Sequence, residues 1–578
     1  MKPRDQLTDL AHLWGARPAT DTDWDFAIWS PDRDSLDLML NGVTHPMTRD
    51  ADGVFRARLP ARAGDSYGYM LDGQPVPDPA SRRQAGGVHD LSMLTRPPQA
   101  PSPWVGRDWP EAVICEIHIG TFTDAGTFQA AAEKLGDLAA VGINTVEVMP
   151  IAQFGGNQGW GYDGVLPNAV HPAYGTPQDF ANFVAVAHDL GISVILDVVY
   201  NHFGPDGAYI HALTPAFFDH GRSTPWGPAV DFTQDPVRTF FFQNAAMCVN
   251  DFGVDGFRFD AVHQLVDPSP EPFFHALTGG LRAMDAGRPL HLIAEDERNL
   301  TTDRDAGRID AQWNDDFHHA VHCLLTGESE GYYRNYAADP MADLTRALAE
   351  GQVEQGQPRV GASRGAPSGH LPASAFVNAN QTHDQIGNRA LGDRLITLAG
   401  AEAMRIAHAL LLTAPYVPML FQGEEIGSRT PFPFFCDFTG DLADAVRNGR
   451  KAEFADFDGF KGDLPDPLAE ATRDMARPYA HPPEDAGEWS RLTARLLGWR
   501  ATQVMPLVRT GGAQPARVRT TGTSSAVASW GYNGGHLYVA FHFDRLPDTP
   551  HLWPDTDARL TVGAPDKPFG FCTWTTPA

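Results

Sequence analysis

Three acidic residues stand at the ends of apolar runs: Asp260 in GFRFDAVH, Glu295 in HLIAED and Asp384 in THDQIG. In the first run Arg258 lies two residues before Asp260. Side chains of a strand alternate faces, so these two point one way while Phe257, Phe259 and Ala261 point the other. Carboxyl pairs of this kind suit glycoside hydrolysis with retention, in which an ionised carboxylate attacks the anomeric carbon and a protonated one serves the leaving oxygen, roughly 5 to 5.5 Å away. Arg258 favours the charged form of Asp260, whereas neighbouring carboxylates and partial desolvation raise Glu295 toward working pH. Asp260 is therefore the expected nucleophile and Glu295 the expected acid/base. A single buried Arg–Asp pair is equally a packing device. Three carboxylates at three strand ends, with histidines in two strand-end motifs, point to chemistry.

Such convergence requires elements that bring distant segments together. Eight short apolar runs qualify as strands: VICEIHI, NTVEVMP, SVILDVVY, GVDGFRFD, LHLIAED, RIDAQWND, SAFVNAN and VPMLFQG, with helical stretches such as TFQAAAEKLGDLAAVG, PQDFANFVAVAHDLG and EAMRIAHALLLT between several of them. An α/β fold with a closed (β/α)8 TIM barrel is the expected solution for this repeat. An open doubly wound sheet is the runner-up, but no glycine-rich phosphate loop follows any strand. Before the barrel, FAIWSP, SLDLMLNG, GVFRARLP and YGYMLDG alternate between Asp, Gly and Pro turns, the pattern of a small β-sandwich. After it, SAVASWGYN and GHLYVAFHFD return to strand alternation. The expected organisation is an N-terminal β-sandwich over 1–95, a catalytic barrel with loop insertions over 96–504 and a C-terminal β-sandwich over 505–578. The segment GASRGAPSGHLP, 361–372, reads as an insertion or a lid.

The chain of 578 residues carries 72 acidic against 44 basic residues, a formal charge of -28. That balance opposes phosphate backbones and anionic lipid, so neither nucleic acid nor membrane is an expected partner; a neutral ligand such as a sugar fits. Five scattered cysteines make no CxxC pair, and neither an apolar leader nor a membrane-length apolar run is present. A cytoplasmic monomer is expected.

DVVYNH (197–202), GFRFDAVH (256–263), IAED (293–296) and THD (382–384) resemble, in order, the four signature regions of the α-amylase family of glycoside hydrolases. Within that family, EVMPIAQFGGNQGWGYDGVLPNAVHPAYG, QWNDDFHHAVHCLLTGE and LFQGEEIGSRTPFPFF are similar to the maltooligosyltrehalose trehalohydrolases. The resemblance implies cleavage of the α-1,4 bond between a maltooligosyl chain and terminal trehalose, with retention and no organic cofactor. It further implies a synthase partner that makes the trehalosyl end. By motif, Asp260 is the nucleophile, Glu295 the acid/base and Asp384 the third carboxylate that grips sugar hydroxyls. Arg258 orients Asp260, His202 and His383 hydrogen-bond the sugar, and Tyr162 of WGYD stacks beneath its ring. Trp160, Asp163 and His263 complete the expected substrate-binding set, while Asp197 and Asn201 are expected to hold loops. Thr382 stands where the family pattern has Asn, which touches local hydrogen bonds only.

Two other functions compete: a glucan branching enzyme, which passes the glucosyl chain to a sugar 6-hydroxyl, and a silent glucan-binding protein, which the full carboxylate set disfavours. His319 and His322, at helical i,i+3 spacing beside His318, are a weak metal signal without an accompanying zincin pattern, and no metal is expected. Glu424 and Glu425 end the last strand, where contact with substrate and loop structure are equally good readings.

Overall fold

The computed structural model describes residues 12–98, 104–360, 363–454, 463–543, 553–554, 559–564 and 567–578. Eight parallel strands close a barrel in sequence order: β1 (Ile114–Ile117), β2 (Thr145–Val148), β3 (Ser193–Val198), β4 (Gly256–Phe259), β5 (His291–Ala294), β6 (Ala311–Trp313), β7 (Phe376–Ala379) and β8 (Val417–Phe421), with β8 pairing back to β1. Each falls inside one of the eight expected runs. Parallel strands covered on both faces read as continuous apolar text rather than alternation, which is why these runs are recognisable.

The barrel interior is layered. Ile114, Ile195, Ile293, Ala311, Val377, Val417 and Met419 belong to one buried cluster there. Nearer the C-terminal strand ends polar residues replace them, and the register sets Glu116 of β1 beside Glu147 of β2 and Asp197 of β3 beside Arg258 of β4. The end of the barrel where chemistry belongs is thus also where buried charge is concentrated.

Local signals set the helices that carry these strands. Thr127 caps the helix Phe128–Val141, and Gly142, in the left-handed region at φ 99°, ends it just before β2. Thr176 and Asp179 form a reciprocal capping box, with Pro177 opening the helix Pro177–Asp189 that leads into β3.

At the N-terminal side two antiparallel sheets face each other, one built on Asp23–Trp29 and Val54–Pro60, the other on Asp37–Leu40 and Ser66–Leu71. Their core of Trp24, Phe26, Phe55, Tyr67 and Tyr69 is buried. The sandwich is tied to the barrel by Arg82 to Asp251 at 2.7 Å and by Trp14, whose indole N–H donates to the Pro236 carbonyl at 2.8 Å. At the other side the described residues form one five-stranded antiparallel sheet from Arg517 to Pro577. It packs on the helices Pro340–Glu350 and Ala401–Thr413. Helical backbone runs from Ala486 to Arg509 and so passes through the expected boundary at 504, because Leu492, Leu496, Leu497, Val504 and Leu507 stay buried along it.

Within the 361–372 insertion, 361 and 362 lie outside the described residues. The remainder is packed down: Arg364 pairs with Glu354, the Ala366 N–H donates to Asn299, and the Ser368 hydroxyl donates to the Glu350 carbonyl at 2.6 Å.

Candidate active site

Arg258 is the centre of the site. Its Nη1 lies 2.9 Å from Asp260 Oδ1 and 2.9 Å from Asp197 Oδ2, and its Nη2 lies 2.6 Å from Glu295 Oε2. One guanidinium therefore joins the ends of β3, β4 and β5. Its planar fork provides several donors in fixed directions, a geometry that a lysine ammonium cannot reproduce. The other face of the head is closed by Trp313 of β6, with Cζ 4.2 Å from the ring centroid.

The two expected reacting carboxyls sit in different surroundings. For Asp260, burial alone would favour protonation, but the Arg258 charge, an Asn201 amide donating at 2.8 Å and nearby His202 hold its pKa below the ordinary carboxylate value. For Glu295, burial pushes the pKa well above that value; Arg258 opposes this, while the charges of Asp260, Asp384 and Asp315 add to it. About a fifth of the Glu295 side chain, 21 %, remains exposed, so it still faces the cleft. One group is set up to be ionised and the other to hold a proton, the division of labour that acid-assisted nucleophilic displacement needs.

The backbone contributes to this pair. Ala261, directly after Asp260, adopts the left-handed region at φ 42° and ψ 53°. In that conformation its N–H donates to Glu295 Oε2 at 3.2 Å, and the next N–H, of Val262, donates to the Glu295 carbonyl at 3.0 Å.

The third expected carboxyl, Asp384, follows β7 at the start of the helix His383–Gly387. Thr382 caps that helix: its hydroxyl oxygen accepts the Asp384 N–H, and the Gln385 side chain reaches back to the Thr382 N–H at 2.8 Å. The departure at this position is thus a working N-cap. His383 is buried; its N–H donates to Glu116 Oε2 at 3.0 Å and its Nδ1 bonds Glu116 Oε1, while Nε2 faces Asp384 Oδ1 at 3.6 Å. Burial pulls its pKa down, but the Glu116 and Asp384 charges and the Glu116 hydrogen bond prevail and raise it to about 9.

The remaining expected residues divide. Tyr162 lies in the site, its hydroxyl donating to Asp197 at 2.6 Å and its ring stacked on His383 at 5.0 Å. His202 spends both ring nitrogens inside the protein, on the Asn201 amide oxygen and the Tyr162 carbonyl, and its face stacks on Trp226 at 4.4 Å. Trp160 is buried among Phe421, Phe432 and Phe434 with its edge toward His383, so it stands behind that histidine rather than at the open cleft. Among the described residues no hydrogen bond or ion pair joins His263 or Asp163 to Arg258, Asp260, Glu295 or Asp384; His263 faces Glu297 at 3.6 Å, and burial lifts Asp163 to about 6.

Several members were not expected from sequence. Asp197 and Asn201, assigned to loops, hold Arg258 and Asp260 respectively. Glu116 and Trp313 belong to the site because they occupy inward strand positions, a signal present in the period-2 pattern of their runs. His318 and His322 are buried and bonded to Tyr333 and Glu328, and no cluster of three metal-binding side chains occurs among the described residues. Glu424 and Glu425 are also buried, accepting from the Phe421 N–H and the Tyr479 hydroxyl, which makes them loop structure.

The family model for the alpha amylase catalytic domain matches residues 117–216. A malto-oligosyltrehalose trehalohydrolase of Deinococcus radiodurans is 40% identical over 457 residues, covering 77% of this chain and 75% of that protein. A 1,4-alpha-glucan branching enzyme of Nocardia farcinica is 30% identical over 302 residues, only 44% of this chain and 39% of its own. Among solved structures, a putative alpha amylase from Salmonella typhimurium superposes with a TM-score of 0.92 at 40% identity, covering 97% of this chain and 99% of that one.

Proposed function

The chain belongs to the malto-oligosyltrehalose trehalohydrolases of the α-amylase family, and from that premise we propose that it hydrolyses the α-1,4 bond joining a maltooligosyl chain to terminal trehalose. It is a glycoside hydrolase, and trehalose is its product.

The reaction assigned to these residues runs in two displacements. The Asp260 carboxylate attacks the anomeric carbon, the bond to the trehalose oxygen breaks, and that oxygen takes the Glu295 proton. Glu295, now ionised, removes a proton from water, whose oxygen displaces Asp260 and restores both starting states. Arg258 acts in both halves because it touches each carboxyl. Asp384 and the Nε2 side of His383 are placed to grip the hydroxyls of the reacting ring, and Tyr162 gives that ring an aromatic face. His202, with both nitrogens engaged, positions Asn201 and through it Asp260.

The observation that carries this reading is a single guanidinium bridging two carboxyls of opposite protonation bias, Asp260 lowered by that charge and by Asn201 against its burial, Glu295 raised by burial and by its neighbouring carboxylates against that same charge. The pathway partner is a synthase that forms the trehalosyl end of an α-glucan. We assign a monomer in the cytoplasm; the five cysteines are all buried and free, which suits a reducing compartment, and no described helix is long and apolar enough to cross a membrane.

Product analysis tests the function. Incubation with maltopentaosyl-trehalose should release free trehalose, and incubation with amylose should not generate branches. New α-1,6 linkages without trehalose would transfer the assignment to a branching enzyme, and absence of turnover on both would leave a glucan binder.

A further inference from the structure

One loop of the N-terminal sandwich reaches the segments that leave the barrel strands β2 and β3. The strands Gln74–Val76 and Ser92–Met93 both pair with the sandwich strand Ser66–Leu71, and the chain between them folds back into a stiff tip over 84–91. The Ala85 N–H donates to the Leu91 carbonyl at 3.0 Å, the Gln84 amide to the Asp90 carbonyl at 2.8 Å, and the Gly87 N–H to the Asp90 carboxylate at 2.7 Å. This tip grips the barrel at three points. The Gln153 amide donates to the Gly86 carbonyl at 2.8 Å. Val88 is buried in one cluster with Val165, Leu166 and Ala169, and it lies so close over Gly207 that a side chain there would overlap it. The His89 ring nitrogens meet the Tyr209 hydroxyl at 2.8 Å and Asp206 Oδ1 at 3.0 Å.

The two gripped segments carry parts of the site. The loop 154–165 holds Tyr162, and five of its twelve residues are glycine, so what packs on it has to supply the rigidity that its own backbone lacks. The other segment follows His202. The two are joined where the Gly204 N–H donates to the Gly164 carbonyl at 3.0 Å, with no room at Gly204 for a side chain beside the Asp163 carbonyl. From this junction two bonded paths lead to the reacting groups. The Tyr162 hydroxyl donates to Asp197, which holds Arg258. His202 Nε2 bonds the Tyr162 carbonyl at 2.9 Å and its Nδ1 bonds the Asn201 side chain, whose amide donates to Asp260 Oδ2 at 2.8 Å.

We propose that Val88 and His89 are positioning residues for the reaction at Asp260, clamping the Tyr162 segment onto the His202 segment from the sandwich side. The proposal rests on the assignment of Asp260 as nucleophile, and it gives the N-terminal sandwich a part in that reaction.

The test uses the full chain with Val88→Ala, His89→Ala and Val88→Ile, each checked for native circular dichroism, and follows trehalose release from maltooligosyltrehalose across pH. Val88→Ala should lower kcat about tenfold, inside the roughly hundredfold that a 1 Å misplacement by a remote change can cost. It should also move the acid limb of the profile to higher pH, because a displaced Asn201 no longer favours the charged form of Asp260. His89→Ala, at a more exposed position, should act in the same direction and decides the question if the Val88 variant does not fold. Val88→Ile keeps a branched apolar face and should hold kcat within about twofold of wild type. Hydrogen exchange over 154–165 and 200–209 supplies a readout free of turnover and should quicken in both alanine variants. A lowered melting temperature with kcat and the acid limb unchanged would reduce the loop to a fastening of the sandwich and overturn the proposal, as would unchanged exchange in both segments. A wild-type protein that releases no trehalose, while those segments still exchange faster in the alanine variants, would overturn the function and leave the clamp standing.

Discussion

The guanidinium of Arg258 lies across the Trp313 indole, its Cζ 4.2 Å from the ring centroid, with both groups buried in the barrel mouth. A desolvated cation over an aromatic face gains about 2 kcal/mol. More important here is orientation, since the indole fixes the plane in which the two terminal nitrogens reach Asp260 and Glu295. Trp313→Leu keeps the position apolar but frees the arginine head to tilt. The expected outcome is a fall in kcat of about tenfold or more with little change in KM, because the loss falls on the transition state. Steady-state kinetics on maltooligosyltrehalose measures this, and a rise in KM at constant kcat would mean that Trp313 only binds sugar.

The activity profile against pH should be bell-shaped, with limbs displaced outward from the ordinary carboxyl range. In the proposed reaction Asp260 works ionised, and its pKa is depressed, so the acid limb should lie low. In the same proposal Glu295 works protonated, and its pKa is raised, so the alkaline limb should lie high. Asn201→Ala removes a hydrogen bond to the charged form of Asp260 and should move only the acid limb, to higher pH. Movement of the alkaline limb instead would exchange the two assignments.

How much of this was legible in the sequence follows from where each residue sits. Asp260, Glu295 and Asp384 are at or just beyond strand ends, so their acidic letters interrupt apolar text and draw notice. Glu116 and Glu147 are interior strand positions, and a lone Glu in VICEIHI or NTVEVMP reads as a residue facing solvent until the barrel closes and turns it inward. Trp160 shows the converse: an aromatic in a recognised motif reads as a sugar platform, and what the sequence does not announce is that Phe421, Phe432 and Phe434, all far along the chain, pack around it. At the C-terminal end the alternation of SAVASWGYN and GHLYVAFHFD marks strands with one covered face, and the helices Pro340–Glu350 and Ala401–Thr413 supply cover that the alternation by itself does not name.

The ion pair between His383 and Glu116 makes stability depend on pH in a defined direction. The histidine is raised from 6.5 to about 9 on folding, so its contribution is complete below about pH 6.5 and is lost as the pH rises through about 9. Both groups are almost wholly buried, so the shift corresponds to roughly 3 kcal/mol. Glu116→Gln removes the partner charge. Chemical denaturation should find the variant less stable by an amount of that order near pH 6, with the gap narrowing toward pH 9. A gap independent of pH would assign Glu116 to packing and leave the charge of His383 without a role.

Ala261 stores strain at the point where the Asp260 and Glu295 segments meet. A non-glycine residue at φ 42° costs roughly 1 to 2 kcal/mol, and the fold sustains it because the same turn aims the Ala261 N–H at Glu295. Ala261→Gly adopts this conformation without the steric cost but gives the unfolded chain more freedom, so stability should change by less than about 1 kcal/mol and activity should persist. Ala261→Val adds a β-branch that the left-handed region does not accommodate, and should either destabilise the protein by about 2 kcal/mol or more or pull the turn out of it. In the second case the Glu295 carboxylate loses a donor, its pKa climbs further, and the alkaline limb of the profile moves to higher pH while the acid limb stays in place. Thermal unfolding and the pH profile of the two variants separate these effects, and a valine variant indistinguishable from wild type in both would show that the turn neither holds strain nor tunes the acid.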